Sequence, residues 1–208
     1  MNHTHTTDTT PARHNSHWLL LPGLAFVMLA TRMDHFGSAV TLPDASLAVF
    51  FFAGFALHRP LWAGRAAFLA LCGLAAAIDF WAIDSQGVSS FCVTPAYGFL
   101  LPTYFAMWWA GRQSAQLPLH TGAGWLRLAL LAGCGVSAAF VISNGSFYLF
   151  SGYVTAPALA DYAAGVARYF PRYAFYCLGY IALGLILRAL LGAIVRRAPS
   201  LTGQSQHD

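Results

Sequence analysis

Two charged residue types are missing from this chain of 208 residues, which contains no lysine and no glutamate. All 11 basic residues are arginines and all seven acidic residues are aspartates. Charged residues make up 9% of the sequence, whereas they make up about 25% of a soluble domain. Hydrophobic residues make up 58%, and the mean hydropathy is +0.57. This shortage of charge excludes an ordinary soluble domain and predicts an integral membrane protein.

Several signatures of catalysis and nucleic-acid binding are missing as well. The sequence has no Walker P-loop, no HExxH motif and no GxSxG motif, and its apolar runs hold no chain of carboxylates that would suggest a proton pump. Its longest basic run is Arg196-Arg197, and no basic patch alternates with aromatic residues. We therefore expect no nucleic-acid partner and no ATP-driven work by this chain alone.

Six apolar segments are separated by more polar connections, at residues 18–33, 45–57, 61–83, 95–110, 125–143 and 173–195. A full membrane span needs roughly 17 to 25 apolar residues, which the third, fifth and sixth segments provide. The second is short, and it predicts either a tilted, partly buried helix or an amphipathic re-entrant piece. The pattern predicts an all-α integral membrane protein, in which residues 18–195 form a compact bundle of six transmembrane helices.

The arginines predict the orientation of this bundle, because cytoplasmic loops are rich in basic residues. If the N-terminus is cytoplasmic, three arginines lie in the outer connections, and the inner segments hold Arg13, Arg59, Arg65, Arg112, Arg127, Arg196 and Arg197. Both termini are then cytoplasmic, with residues 1–17 as a disordered polar tail and 196–208 as a C-terminal tail. The tail 1–17 lacks the pattern of a signal peptide.

The outer connections are long and carry most of the polar and aromatic candidates. The connection 144–172 is the longest, and we expect a short helix within it at 156–169. Long loops in compact domains are usually functional. The sequence therefore predicts an outward-facing ligand pocket that is capped by the outer loops.

Cys92 is the strongest chemical candidate, because it lies in the polar stretch Ser89 to Gly98 between two apolar runs. A thiolate there is either a soft-metal ligand or a nucleophile, and the alternative is an inert loop thiol. The other cysteines, Cys72, Cys134 and Cys177, lie inside apolar runs, where a thiol usually behaves as a small hydrophobe. The sequence has no CxxC pair, and no second cysteine or histidine lies next to Cys92. A tetrahedral zinc site is therefore not indicated.

Four further residues are candidates for the same pocket, each with a structural alternative. Asp79 lies within the third segment, where an ionisable group marks a functional site unless it simply reaches water. His35 is either a ligand or a histidine at the level of the lipid headgroups. Tyr97 either reaches the pocket or anchors the interface. Arg168 either holds a polar or anionic ligand group or anchors the headgroup region.

The stretch from Leu42 to Gly54, Asp79, the pattern Cys92-x-x-Pro95-x-Tyr97 and the pair Ser143-Asn144 carry a family resemblance. Over residues 18–195 the chain resembles the solitary, BtuM-type cobalamin (vitamin B12) transporters, which are related to the S-components of energy-coupling-factor transporters. The resemblance implies an S-component-like fold in the bacterial inner membrane. It also implies cobalamin as the bound cargo and the lipid bilayer as the surroundings.

The resemblance also implies roles for individual residues. Cys92 would coordinate the cobalt of cobalamin as a thiolate on the upper axial face. Cys92 could then displace the existing upper ligand, which in cyanocobalamin means decyanation. Asp79, Tyr97 and His35 would contact the corrin or its amide side chains. Arg168 is a candidate for a polar group of the cargo through its position in the third outer connection, and not through the resemblance. Whether this makes the protein an enzyme as well as a transporter stays open.

The first segment differs from that of S-components that dock onto a coupling subunit. Such proteins show small residues four apart on the first helix, whereas this segment reads Gly23-Leu-Ala25-Phe-Val27-Met-Leu29-Ala30. We therefore expect a solitary protein without an energy-coupling module. The alternatives are a membrane enzyme with Cys92 as nucleophile, a carrier of a smaller vitamin or a metal ion, and a structural membrane protein.

Overall fold

The computed structural model describes residues 20–33, 43–154 and 158–197, and in these residues it is all-helical. Its helices are α1 (Leu20–Met33), α2 (Ser46–Ala56), α3 (Leu61–Gln86), α4 (Leu100–Ser114), α5 (Gly122–Phe150), α6 (Leu159–Ala167) and α7 (Phe170–Arg197), with 3₁₀ turns at Ser90–Cys92 and Pro95–Phe99. The predicted tail 1–17 and His35 lie outside the described residues. Of the predicted tail 196–208, the structure describes the two residues that end α7.

Three helices are long and apolar enough to cross a membrane: α3, α5 and the stretch Phe170–Ile194 of α7. They contain 26, 29 and 25 residues, so each exceeds the roughly 30 Å thickness of the hydrocarbon core at about 1.5 Å per residue. In α7 only 17% of the most apolar stretch is buried. This exposed apolar surface is compatible with a membrane protein.

The short helix α2 forms the centre of the bundle. Phe50, Phe51 and Ala53 are fully buried, and α2 packs against α1, α3, α4 and α7. Its 11 residues extend only about 17 Å, which is too short for a span. The second apolar segment is therefore a buried helix, in agreement with the first of its two predicted alternatives.

The helices run alternately between two ends of the bundle that differ in charge. Arg32 near the end of α1 pairs with Asp79 in the second half of α3, and we call this the Asp79 end. Arg112 near the end of α4 donates a 2.7 Å hydrogen bond to the His58 carbonyl after α2, and we call this the Arg112 end. In the described part of the chain, the aspartates lie toward the Asp79 end.

Helix α5 extends seven residues beyond the predicted segment 125–143 and ends at Phe150. The polar residues after 143 were expected to begin a loop. Instead, the Asn144 side chain donates to the Phe140 carbonyl at 2.9 Å, and the Ser146 hydroxyl donates to the Ser143 carbonyl at 2.9 Å. Because these side chains bond to their own helix, α5 continues to the Asp79 end.

The fourth apolar segment and the short helix of the third outer connection also begin and end at other residues than predicted. The residues Pro95–Phe99 form a 3₁₀ turn, and the α-helix begins at Leu100. The short helix expected over 156–169 is present as Leu159–Ala167. Among the described residues, three helices satisfy the length and composition of a span, so the predicted count of six spans is not confirmed.

The close approach of α2 to α4 depends on two glycines. A Cβ atom at Gly54 would collide with the Trp108 carbonyl, and one at Gly111 would collide with the Phe51 carbonyl.

We expect Gly111→Ala to lower the free energy of unfolding by about 1–3 kcal/mol, because the methyl group overpacks the contact. Unfolding of the detergent-solubilised protein measures this. Gly133→Ala is the control, since nothing lies within 4 Å of its added Cβ; equal effects of the two variants would contradict the packing account.

Candidate functional site

A cavity of about 910 Å³ opens at the Asp79 end of the bundle. Six tyrosines line its wall: Tyr97, Tyr104, Tyr162, Tyr169, Tyr173 and Tyr176. Polar side chains from α4 and α5 add Thr103, Ser143, Asn144 and Ser146. The cavity wall therefore combines the apolar faces of tyrosine rings with many hydroxyl groups.

Arg32 is the centre of a buried polar network beside this cavity. Its Nε and Nη2 donate to the two carboxylate oxygens of Asp79 at 2.6 and 2.5 Å. Its Nη1 lies 3.2 Å from Asp44 Oδ2, 3.1 Å from Ser46 Oγ and 3.0 Å from the Tyr104 hydroxyl. Arg32 is 8% exposed and Asp79 is 9% exposed. One guanidinium thus connects four helices or helix termini through charge-assisted hydrogen bonds.

The network begins where α2 begins. Asp44 Oδ1 accepts hydrogen bonds from the Ser46 backbone N–H at 2.8 Å and from the Ser46 hydroxyl at 2.6 Å. The Thr31 hydroxyl accepts the Ala45 N–H at 3.2 Å. These bonds satisfy groups at the N-terminus of a buried helix, which has no intrahelical partners for its first N–H groups. The Asp44 side chain remains 34% exposed, so it also faces the cavity.

Tyr97 joins the network from the turn that precedes α4. Its hydroxyl donates to Asp79 Oδ2 at 2.8 Å. The turn is set locally: Thr94 is its N-cap and accepts the Ala96 N–H at 3.2 Å, and Pro95 follows at the first position. Asp79 therefore accepts three hydrogen bonds from two side chains, and Tyr97 and Asp79, two of the predicted site residues, lie in direct contact.

The charges that line the cavity balance. Asp44 and Asp79 are acidic, Arg32 and Arg172 are basic, and all four belong to the wall. Arg172 is exposed, and its Nε lies 3.3 Å from the Tyr176 hydroxyl. A cavity with two charges of each sign and many hydroxyl groups suits a neutral ligand with both donors and acceptors.

Cys92 ends the 3₁₀ turn Ser90–Cys92, and the structure describes its backbone but not its side chain. Ala96 and Tyr97, four and five residues later, line the cavity. Since a chain extends at most about 3.6 Å per residue, the Cα atoms of Cys92 and Ala96 lie within about 14 Å of each other. The ring of Phe91 also contacts Phe147 in the cavity wall, with 5.6 Å between centroids.

Cys177, which the sequence pattern predicted to be a small hydrophobe, also lines the cavity and is 4% exposed. Cys72 is partly buried in the core, and Cys134 is exposed on α5. Among the described residues, no group of three or more His, Cys, Asp or Glu could hold a metal ion. Any test of Cys92 must therefore separate it from Cys177.

Helix α6 covers part of the cavity through Tyr162. The Tyr162 hydroxyl donates to the Asn144 carbonyl at 3.1 Å, and its ring packs at 4.9 Å on Tyr148. Burial raises the pKa of Tyr162, so the phenol stays protonated and remains a donor. Arg168 caps α6 and is exposed, while Arg172, one turn later, lines the cavity together with Arg32.

Sequence reasoning did not assign Arg32 or Tyr104 to the site. A signal for Arg32 was present, because a single arginine at the end of one apolar segment and a single aspartate within another are costly in lipid unless they pair. No such signal marks Tyr104, whose hydroxyl is placed by the packing of α4. Asp44 was part of the family resemblance, but its bond to Arg32 was not expected.

The sequence matches no protein-family model and no curated protein.

Arg32 should contribute strongly to stability, because its removal leaves the buried Asp79 carboxylate and the partly exposed Asp44 carboxylate without their cation. We expect Arg32→Met to lower the free energy of unfolding by about 3–5 kcal/mol. Arg32→Met combined with Asp79→Asn should recover part of this loss, since the uncompensated charge is then removed. Arg172→Met is the matched control at an exposed position and should change stability by about 0.5 kcal/mol or less. Similar losses for Arg32→Met and Arg172→Met in thermal unfolding would refute this account.

Proposed function

We propose that this protein is a membrane-embedded cobalamin-binding and uptake protein in which the Cys92 thiolate coordinates cobalt. The bundle would act as an S-component-like carrier in a bacterial inner membrane. The observation that carries the proposal is the large, charge-balanced cavity at the Asp79 end, beside the turn that contains Cys92.

The size of the cavity supports a large cargo. Pockets for small molecules measure roughly 300–1,000 Å³, and about 910 Å³ lies near the top of that range. A single metal ion or a small vitamin would leave most of this volume filled with water. Cobalamin has a broad, largely apolar corrin ring surrounded by amide side chains. The tyrosine rings suit the corrin, and the hydroxyl and carboxylate groups suit the amides.

The position of Cys92 in the chain supports a thiolate–cobalt bond. Cobalt accepts soft thiolate ligands, and one axial bond from the protein is enough to anchor a metal that the corrin already holds. Ala96 and Tyr97, a few residues after Cys92, belong to the cavity wall. His35 belongs to the proposal through the resemblance, and Arg168 through its position in the outer connection, both as contacts from the loops above the cargo.

The proposed reaction is a ligand exchange on cobalt(III). The Cys92 thiol loses its proton, the sulfur forms a bond to cobalt, and the cobalt–cyanide bond breaks. Cyanide leaves with its electron pair and takes up a proton, so no oxidation or reduction occurs in this step. The Asp79 carboxylate, fixed by Arg32, holds the Tyr97 hydroxyl in place at the cavity wall. Asp44, which is partly exposed, is the acceptor available to an amide of the cargo.

Replacement of Cys92 should remove the sulfur ligand from cobalt. We expect protein purified from cells grown with cyanocobalamin to carry a corrin absorption spectrum that is shifted from that of the free vitamin. The shift should disappear in Cys92→Ala. Cys177→Ala is the matched control, because Cys177 carries a thiol and lines the cavity, and it should keep the wild-type spectrum.

Other outcomes separate the alternatives. A wild-type protein that stays colourless with saturating vitamin, and whose Cys92 is modified by a thiol reagent, would favour a membrane enzyme with a cysteine nucleophile. A spectral shift that survives Cys92→Ala and disappears in Cys177→Ala would show that Cys177, and not Cys92, is the axial ligand.

Asp79→Asn should weaken cobalamin binding without changing the axial ligand. The carboxylate accepts three hydrogen bonds from Arg32 and Tyr97, and bonds to a charged group contribute about 1.5–3 kcal/mol each. We expect an affinity loss of roughly 10-fold or more by equilibrium titration, with the cobalt spectrum of the bound fraction unchanged. The control is Asp84→Asn at an exposed position on the same helix. Equal affinities for wild type and Asp79→Asn would remove Asp79 from the site.

A further inference from the structure

Three aromatic rings meet beside the turn that carries Cys92. The Phe91 ring stacks on the Tyr153 ring, with 4.3 Å between centroids and 23° between planes. The Phe147 ring lies 5.6 Å from Phe91 and 6.3 Å from Tyr153. We call these three residues the aromatic clamp.

The clamp joins three parts of the chain. Phe91 belongs to the Ser90–Cys92 turn, Phe147 lies in the last turn of α5, and Tyr153 lies in the connection after it. The position of Tyr153 is set by a local reversal: Gly152 has a φ of +77°, which suits glycine, and the Tyr153 N–H bonds to the Ser151 hydroxyl at 3.2 Å. The end of α5 therefore presents two rings to Phe91.

The hydrogen bonds described for the turn itself are local. The Phe91 N–H bonds to Ser89 Oγ at 3.2 Å, and the Val93 N–H bonds to the Ser90 carbonyl at 2.8 Å. Such a short 3₁₀ segment has poor hydrogen-bond geometry and little stability of its own. Ser89, Ser90 and Val93 are exposed. The ring contacts of Phe91 thus connect the turn to the rest of the bundle.

We propose that the aromatic clamp holds the Ser90–Cys92 turn against the cavity wall and so positions Cys92 for its bond to cobalt. Tyr153 is then a positioning residue, which acts through Phe91 on the turn. That Cys92 bonds to cobalt rests on the proposed function, whereas the ordering of the turn does not. An aromatic pair of this kind shifts the balance between an ordered and a loosened turn by roughly two- to tenfold.

Hydrogen exchange tests the ordering without any cargo. Full-length protein in detergent, free of cobalamin, is compared by mass spectrometry as wild type, Tyr153→Leu and Tyr153→Phe. We expect peptides covering residues 89–94 to exchange roughly two- to tenfold faster in Tyr153→Leu. Tyr153→Phe should restore wild-type exchange, because the ring remains. Phe150→Leu is a second control, because it breaks a different stack, that of Phe150 on Phe99 with 4.9 Å between centroids. It should leave the exchange of residues 89–94 unchanged.

Stopped-flow absorption tests the positioning. After cyanocobalamin is added, the thiolate–cobalt spectrum should appear in Tyr153→Leu more slowly by a similar factor, with its final shape unchanged. Tyr153→Phe should match the wild type. A purely structural role would not predict a slower ligand exchange in a folded protein that still binds its cargo. If Tyr153→Leu does not fold, Phe91→Leu removes the same stack from the other side.

The outcomes separate the two parts of the inference. Unchanged exchange of residues 89–94 in Tyr153→Leu would overturn the clamp. Faster exchange with wild-type kinetics of the cobalt spectrum would overturn the positioning role. A wild-type protein that forms no thiolate–cobalt spectrum would refute the proposed function, and the exchange data would still decide whether the clamp orders the turn.

Discussion

The pairing of Arg32 with Asp79 is the constraint on which the Asp79 end of this bundle depends. Both groups are buried, and a charge in such surroundings is costly unless it is paired and fully hydrogen-bonded. Arg32 meets this requirement with donors to Asp79, Asp44, Ser46 and Tyr104. The end of α1, the start of α2, the second half of α3 and the first half of α4 are thereby fixed relative to one another, and the cavity lies where they meet.

The packing of the apolar helices complements this polar network. The buried helix α2 lies so close to α4 that Gly54 and Gly111 leave no room for a side chain, a device common where helices associate in lipid. Phe50 stacks on Tyr104 at 4.2 Å, so the packed core holds the same tyrosine whose hydroxyl meets Arg32. Apolar packing between α2 and α4 and the charge pairing of Arg32 therefore stabilise the same arrangement of the cavity wall.

The sequence predicted the helical class and the apolar segments well, because hydropathy records which stretches avoid water. It predicted that Asp79 and Tyr97 share a pocket, but not that they are hydrogen-bonded. It missed the pairing of Arg32 with Asp79, because these residues are 47 positions apart and meet only through tertiary packing. It ended α5 too early at residue 143, because Asn144 and Ser146 resemble loop residues until their bonds to the helix backbone are known. It predicted Cys177 as a small hydrophobe, in agreement with the burial of this residue in the hydrophobic core, but it did not predict that Cys177 also borders the cavity.

Cobalt K-edge X-ray absorption of the protein purified with cobalamin tests the central claim most directly, because it reports the atoms bonded to the metal. Our account predicts one sulfur neighbour of cobalt in the wild type and in Cys177→Ala, and none in Cys92→Ser. A cobalt that is bound to the wild-type protein without a sulfur neighbour would contradict the proposed thiolate ligand, even if the cargo itself were correct.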